Sequence, residues 1–74
     1  MSFVITTVID GITHGVKPDG KKFNLIPINK TSDVHHLMNL PQLSLARSIL
    51  SWIENNDPKF SEHQFEISPA AKFG

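Results

Sequence analysis

The chain contains no cysteine, which removes disulfide frameworks, cysteine-based zinc ribbons and thiol catalysis in one step. It also lacks a net charge, seven Lys and Arg balancing seven Asp and Glu. Autonomous nucleic-acid-binding domains carry a basic excess, so a general affinity for phosphate backbones is disfavoured. No apolar run approaches the ~20 residues that a membrane-crossing helix needs. The opening MSFVITTVIDG has neither the basic start nor the long apolar stretch of a signal peptide. The expectation is a soluble, cytoplasmic protein that does not engage a membrane.

Catalytic signatures are missing as well. There is no Gly-x-Ser-x-Gly elbow, no phosphate-cradling glycine loop, no dinucleotide fingerprint and no His-Glu-x-x-His helix. A histidine acting as general base needs a partner and a shielded pocket, and so small a core rarely spares one. The sequence therefore predicts no enzyme, no catalytic residue and no cofactor. The glycine-aromatic strand motif of RNA-binding sheets and a basic recognition helix are absent too.

The 74 residues make one domain, and a chain this short buries only ~60% of the surface its unfolded form exposes. Its apolar residues must be used fully. The charges are unevenly placed. Residues 1–30 hold Lys17, Lys21, Lys22 and Lys30 against Asp10 and Asp19, while residues 31–74 hold Arg47, Lys59 and Lys72 against Asp33, Glu54, Asp57, Glu62 and Glu66. The two parts carry opposite surpluses of two charges, a mild dipole.

From Phe3 to Ile28 the chain is rich in Val, Ile, Thr and Phe and is cut by two glycine turns, the pattern of antiparallel strands. Asp10-Gly11 suits positive φ at both central positions of a type I′ hairpin. In Lys17-Pro18-Asp19-Gly20-Lys21, proline is preset for the second position of a type I turn and Gly20 can take the bulge that follows. Three strands result, at roughly 3–9, 12–16 and 22–28. This reading pairs Ile9 with Ile12, Thr7 with His14 and Ile5 with Val16. It then pairs Val16 with Lys22, His14 with Asn24 and Ile12 with Ile26. One face would carry Phe3, Ile5, Ile9, Ile12, Val16, Ile26 and Ile28, and the other Val4, Thr6, Val8, Thr13, Phe23 and Leu25. A rival register makes 3–16 one long strand with a bulge at Asp10-Gly11. Pro27 lacks a ladder donor, which places the third strand at an edge.

Residues 41–56, PQLSLARSILSWIENN, form the main helix, with Pro41 in its first turn and Asn55-Asn56-Asp57-Pro58 stopping it. Leu43, Leu45, Ala46, Ile49, Leu50, Trp52 and Ile53 fall within an arc of about 180°, wider than the roughly 100° one small sheet covers. The surplus is met either by residues 31–39 or the C-terminal segment, or by a partner. Ser44, Arg47, Ser48, Ser51 and Glu54 occupy the other side. Small side chains there permit close approach by another backbone, or are neutral surface serines. QFEIS at 64–68 alternates as a fourth strand, and 69–74 reads as a tail that stays loose unless Phe73 docks.

SDVHHLMNLPQLS, from Ser32 to Ser44, invites a metal-site reading. On a short helix His35 and His36 diverge by about 100°, whereas Asp33 and His36 share a side. A tetrahedral ion would still have to recruit His14 or His63 from elsewhere. The stretch is therefore read as a helix start and connector, with Val34, Leu37 and Met38 packing and both histidines at the rim, and no metal site is predicted.

The sequence thus implies an α+β domain over 1–68, a three- to four-stranded antiparallel sheet with a meander first, packed on one main amphipathic helix, plus a tail at 69–74. The expected function is protein binding by a small stand-alone inhibitor or adaptor, with Phe23, Ser44, Arg47, Ser48, Ser51 and Trp52 as partner-binding residues. A homodimer is an accessible state of such a module. Its compactness suits a viral or mobile-element protein that blocks a host factor. The alternative is a nucleic-acid-binding accessory protein that uses the basic hairpin Lys17, Lys21 and Lys22.

Overall fold

The computed structural model describes residues 2–73, so Met1 and the last residue of the expected tail, Gly74, lie outside it. The fold is α+β. Strands β1 (Phe3–Ile9), β2 (Ile12–Asp19) and β3 (Lys22–Pro27) form an antiparallel meander, and β4 (Phe65–Pro69) adds to the free side of β1. The sheet order is β3-β2-β1-β4. The main helix α1 (Leu43–Asn56) packs on one face.

The first hairpin follows its turn chemistry. Asp10 and Gly11 both adopt positive φ, 53° and 80°, as a type I′ turn requires, and Ile9 pairs with Ile12 and Thr7 with His14. The long-strand alternative is thereby excluded.

The second hairpin departs from expectation. The ladder runs on through Pro18 and Asp19, so Asp19 pairs with Lys22, Pro18 with Phe23 and Val16 with Leu25. Gly20 alone carries positive φ, at 62°, the mark of a two-residue II′ turn over Gly20-Lys21. Proline fits inside this strand because the pair next to a hairpin's closing pair exchanges no backbone hydrogen bonds. The register differs by three residues from the one the type I turn implies, and an odd slip turns every side chain of β3 over. Phe23 and Leu25 therefore join Ile5 and Val16 beneath α1, while Ile26 and Ile28 pack with Val4 on the opposite face.

Both faces of the sheet are covered. On the α1 side, Ile5, Val16, Leu40, Ala46, Ile53 and Phe60 are buried together. On the other, Val4 meets Val34 and Leu37 of the connector and Ala70 and Phe73 of the C-terminal segment. The connector is a 3-10 helix over Thr31–His36 and the C-terminus a 3-10 turn over Ala70–Phe73, so Phe73 does dock. The fit against the sheet is tight at Gly15, where an added Cβ would lie 2.6 Å from Leu37 Cδ2.

The chain changes faces at the start of β1. There Met38 donates its amide to the Val16 carbonyl (3.0 Å), and Leu40 exchanges two hydrogen bonds with Phe3 (2.7 and 2.8 Å). Leu40 is thus still extended, and α1 starts at Leu43 behind Gln42, two residues later than Pro41 suggested. Beyond Gly15, β2 pairs only with β3, so the hairpin end at Gly20-Lys21 projects past β1. No helix among the described residues is long and apolar enough to cross a membrane.

Candidate functional site

Helix α1 turns Ala46 and Ile53 fully inward, with Ile49 and Leu50 half-buried beside them. These four span about 100° of the helix, the width one sheet face covers. The surplus apolar residues stay outside: Trp52 is 54% exposed, Leu45 40% and Leu43 38%. The intramolecular cover is partial: Met38 of residues 31–39 and Phe60, Phe65 and Ile67 after α1 join the cluster on the α1 side, and they leave Trp52, Leu45 and Leu43 exposed. The 3-10 helix at 31–36 and the turn at 70–73 lie on the other sheet face, and only Met38 and Leu40 of the connector reach the α1 side.

The helix lies nearest β1 and β4, which leaves the β2–β3 half of that face less covered. Phe23, now on this face, meets Trp52 edge-on, ring centroids 6.1 Å apart and planes at 70°. An open groove of about 350 Å³ runs between the hairpin end and the last turns of α1, lined by Lys21, Lys22 and Lys59, by Phe23 and Trp52, and by Asn56 and Asp57.

Of the six residues singled out in the sequence, the structure brings Phe23 and Trp52 into contact. Ser44, Arg47, Ser48 and Ser51 are all exposed on α1. Ser48, one turn before Trp52, continues the same strip, and Leu45, seven residues before it, lies about 20° round the helix from the indole. Arg47 and Ser51 lie further round. Sequence reasoning placed Leu45 in the wide apolar stripe without naming it a partner-binding residue, and missed Lys59, which comes from the loop after α1 and lines the groove with Lys21 and Lys22. The seven-residue spacing of Leu45 and Trp52 was the one available signal. Lys17 does not line the groove.

The histidines are dispersed. His35 and His36 are exposed at the end of the 3-10 helix. Asp33 faces the chain rather than an ion, its Oδ2 accepting the amides of Asn29 (2.9 Å) and Lys30 (3.1 Å). The Asn29 amide is the main cause holding its carboxyl below the usual 3.8, helped by the Lys30 amide and the nearby charges of Lys30 and His36 against some desolvation. His14 Nδ1 lies 2.8 Å from the Ile12 carbonyl oxygen, and His63 packs edge-on against Phe65. Among the described residues no three His, Cys, Asp or Glu side chains gather where one ion could be held.

A second, larger groove of about 480 Å³ sits at the Asp10-Gly11 end, lined by Thr7, Val8, Glu62, His63, Phe65 and Glu66. The Thr7 hydroxyl donates to the Gln64 carbonyl (2.7 Å). Among the described residues no salt bridge joins His63 to a carboxylate.

No family model, no curated protein and no solved structure matches this chain.

Proposed function

We propose that this chain is a small, non-enzymatic protein-binding module, an inhibitor or adaptor of a larger protein, that docks through the outer strip of α1 and the Phe23–Trp52 corner. The observation that carries the reading is Trp52. A tryptophan more than half in solvent contributes little to the domain's own core. Exposed aromatic anchors, by contrast, supply much of the energy at protein interfaces. Leu45 and Ser48 extend the strip, and the small serines let a partner backbone approach closely. Single exposed apolar residues are ordinary, but here two align on one helix face above a groove.

The test is a photo-cross-linking residue at Ser48, with a second placed at Glu66 on the far side as control. Ser48 should capture a discrete protein that Glu66 does not, and Trp52→Ala with Leu45→Ser should abolish the capture. The same products from both positions would refute the reading. Capture of a second copy of the chain would identify the strip as a homodimer surface.

Lys59 beside Lys21 and Lys22 favours a second reading, a nucleic-acid-binding accessory protein, since lysines next to an exposed aromatic ring suit stacked bases and phosphates. Against it stand the zero net charge and the confinement of the lysines to one end of the strip. That reading requires a steep fall of log affinity with log salt, flattened when Lys17, Lys21 and Lys22 become Gln. Protein docking through apolar surface survives moderate salt, with rim charges changing association rates more than affinity.

A further inference from the structure

We infer that the groove between the β2–β3 hairpin and the end of α1 takes an acidic segment of the partner protein, carboxylates meeting Lys21, Lys22 and Lys59 while an apolar side chain lies on Trp52. The inference rests on the protein-binding reading and names the chemistry of the partner.

The lysines line one groove from two separate parts of the chain, and Asp57 is the one carboxylate that lines it with them, which leaves a surplus of two positive charges. The one ion pair among the described residues, Lys72 with Glu66 at 4.0 Å, lies elsewhere. Asp57, in the lining, turns its Oδ1 to the Lys59 amide (3.2 Å), and Asp19, outside it, accepts the Asn24 side-chain amide at Oδ2 (2.8 Å). Glu54 lies about 200° round the helix from Trp52. The Lys59 ammonium lies over the Phe60 ring, 5.6 Å from its centroid, and three cations without a salt bridge in one groove with an exposed indole present a complement to a ligand that is both anionic and apolar.

The distribution of charge selects a peptide over a nucleic acid. A nucleic acid carries its charges at every nucleotide, and proteins that hold a strand line its path with cations. Beyond Trp52 this strip continues through Ser48, Leu45 and Ser44, without a lysine. Its complement is a segment charged at one end and apolar or neutral at the other. Carboxylates supply the charge-assisted contacts, and the serines leave room for a backbone.

Trp52 is the sole tryptophan, so its emission reports the groove directly in the intact chain. The probes are a pool of short peptides built from Glu, Asp, Leu, Phe and Ser, a matched pool with Lys in place of the acids, and oligothymidylate. The acidic pool should shift the emission saturably. A Lys21→Gln, Lys22→Gln, Lys59→Gln triple variant, whose changes are all at exposed positions and whose fold is checked by circular dichroism, should bind it about tenfold or more weakly. Lys17→Gln, outside the groove, should not. No saturable shift, equal binding of the basic pool, tighter binding of oligothymidylate, or a shift produced by concentrating the protein alone would each overturn the inference. The two readings fail separately. A protein cross-linked through Ser48 and indifferent to the three lysine changes overturns the acidic segment while the binding module stands.

Discussion

Ile53 and Trp52 are neighbours on α1, about 100° apart, and the packing assigns them opposite energetic roles. Ile53 is 1% exposed within the cluster that joins α1 to the sheet. Ile53→Ala removes three carbons, about 2.4 kcal/mol of transfer free energy at roughly 0.8 per group. The cavity raises this to about 2.5–4.5 kcal/mol. A 74-residue chain has a total stability of about 4–11 kcal/mol at typical values per residue, so the variant should be close to unfolding. For Trp52→Ala, the buried half of the side chain is worth about 1–1.5 kcal/mol and the edge contact with Phe23 about 0.5–1. The higher helix propensity of alanine returns about 0.5. The net cost is about 1–2 kcal/mol, roughly half that of Ile53→Ala. Urea titration followed by circular dichroism at the helix band measures both without relying on tryptophan emission. A Trp52→Ala variant as destabilised as Ile53→Ala would refute both the orientation of α1 and the case for Trp52 as a binding residue.

Gly15→Ala should cost about 1–3 kcal/mol by overpacking, since the new methyl meets the Leu37 side chain. Adding Leu37→Ala should cost less than the sum of the two single changes, and a Gly15→Ala protein of unchanged urea midpoint would rule the contact out. Thr6→Val should raise stability by about 1 kcal/mol or more, because Thr6 is 1% exposed on the central strand and its hydroxyl has no hydrogen-bond partner; a lower thermal midpoint would show that the hydroxyl is satisfied. Asp33 has its pKa lowered by folding, so its contribution is complete at pH well above 3.8 and is lost as the pH falls from there through the lower folded value. Asp33→Asn should therefore be less stable than the parent at neutral pH and converge on it in acid, and a difference independent of pH would refute the capping role.

What the sequence conveyed depended on whether a local motif had one solution or two. Asp10-Gly11 had a favoured one, the type I′ turn, over a bulge in one long strand, and positive φ at both residues fixes the turn and with it the β1–β2 register. Lys17-Pro18-Asp19-Gly20-Lys21 had two, a type I turn with a bulge or a strand ending in a Gly20-Lys21 turn, three residues apart in register. Alternation could not choose between them, because both sheet faces are covered and both carry apolar residues. The choice is tertiary: the observed register places Phe23 and Leu25 under α1 and Ile26 and Ile28 against the connector. On the second face Val4 was the trace of that second layer, whereas Val8, 62% exposed, lies beyond its cover. The composition does not name its occupants.

The same register connects fold and candidate site. Had Val16 paired with Lys22, Phe23 would face the opposite side of the sheet, and neither the edge contact with Trp52 nor the groove would form. Leu45 and Trp52 would then be two exposed residues without a floor beside them. Because β2 beyond Gly15 pairs only with β3, the hairpin end carrying Lys21, Lys22 and Phe23 is held by one strand partner and by its contacts with α1. Segments with few packing contacts open at low free energy, and binding sites draw on them. An occupant lying over the Phe23–Trp52 contact thus meets one wall that is rigid, the helix anchored by Ala46 and Ile53, and one that can adjust. Stiffening the hairpin should on this argument slow binding without weakening the domain, whereas loosening α1 through Ile53 should damage both.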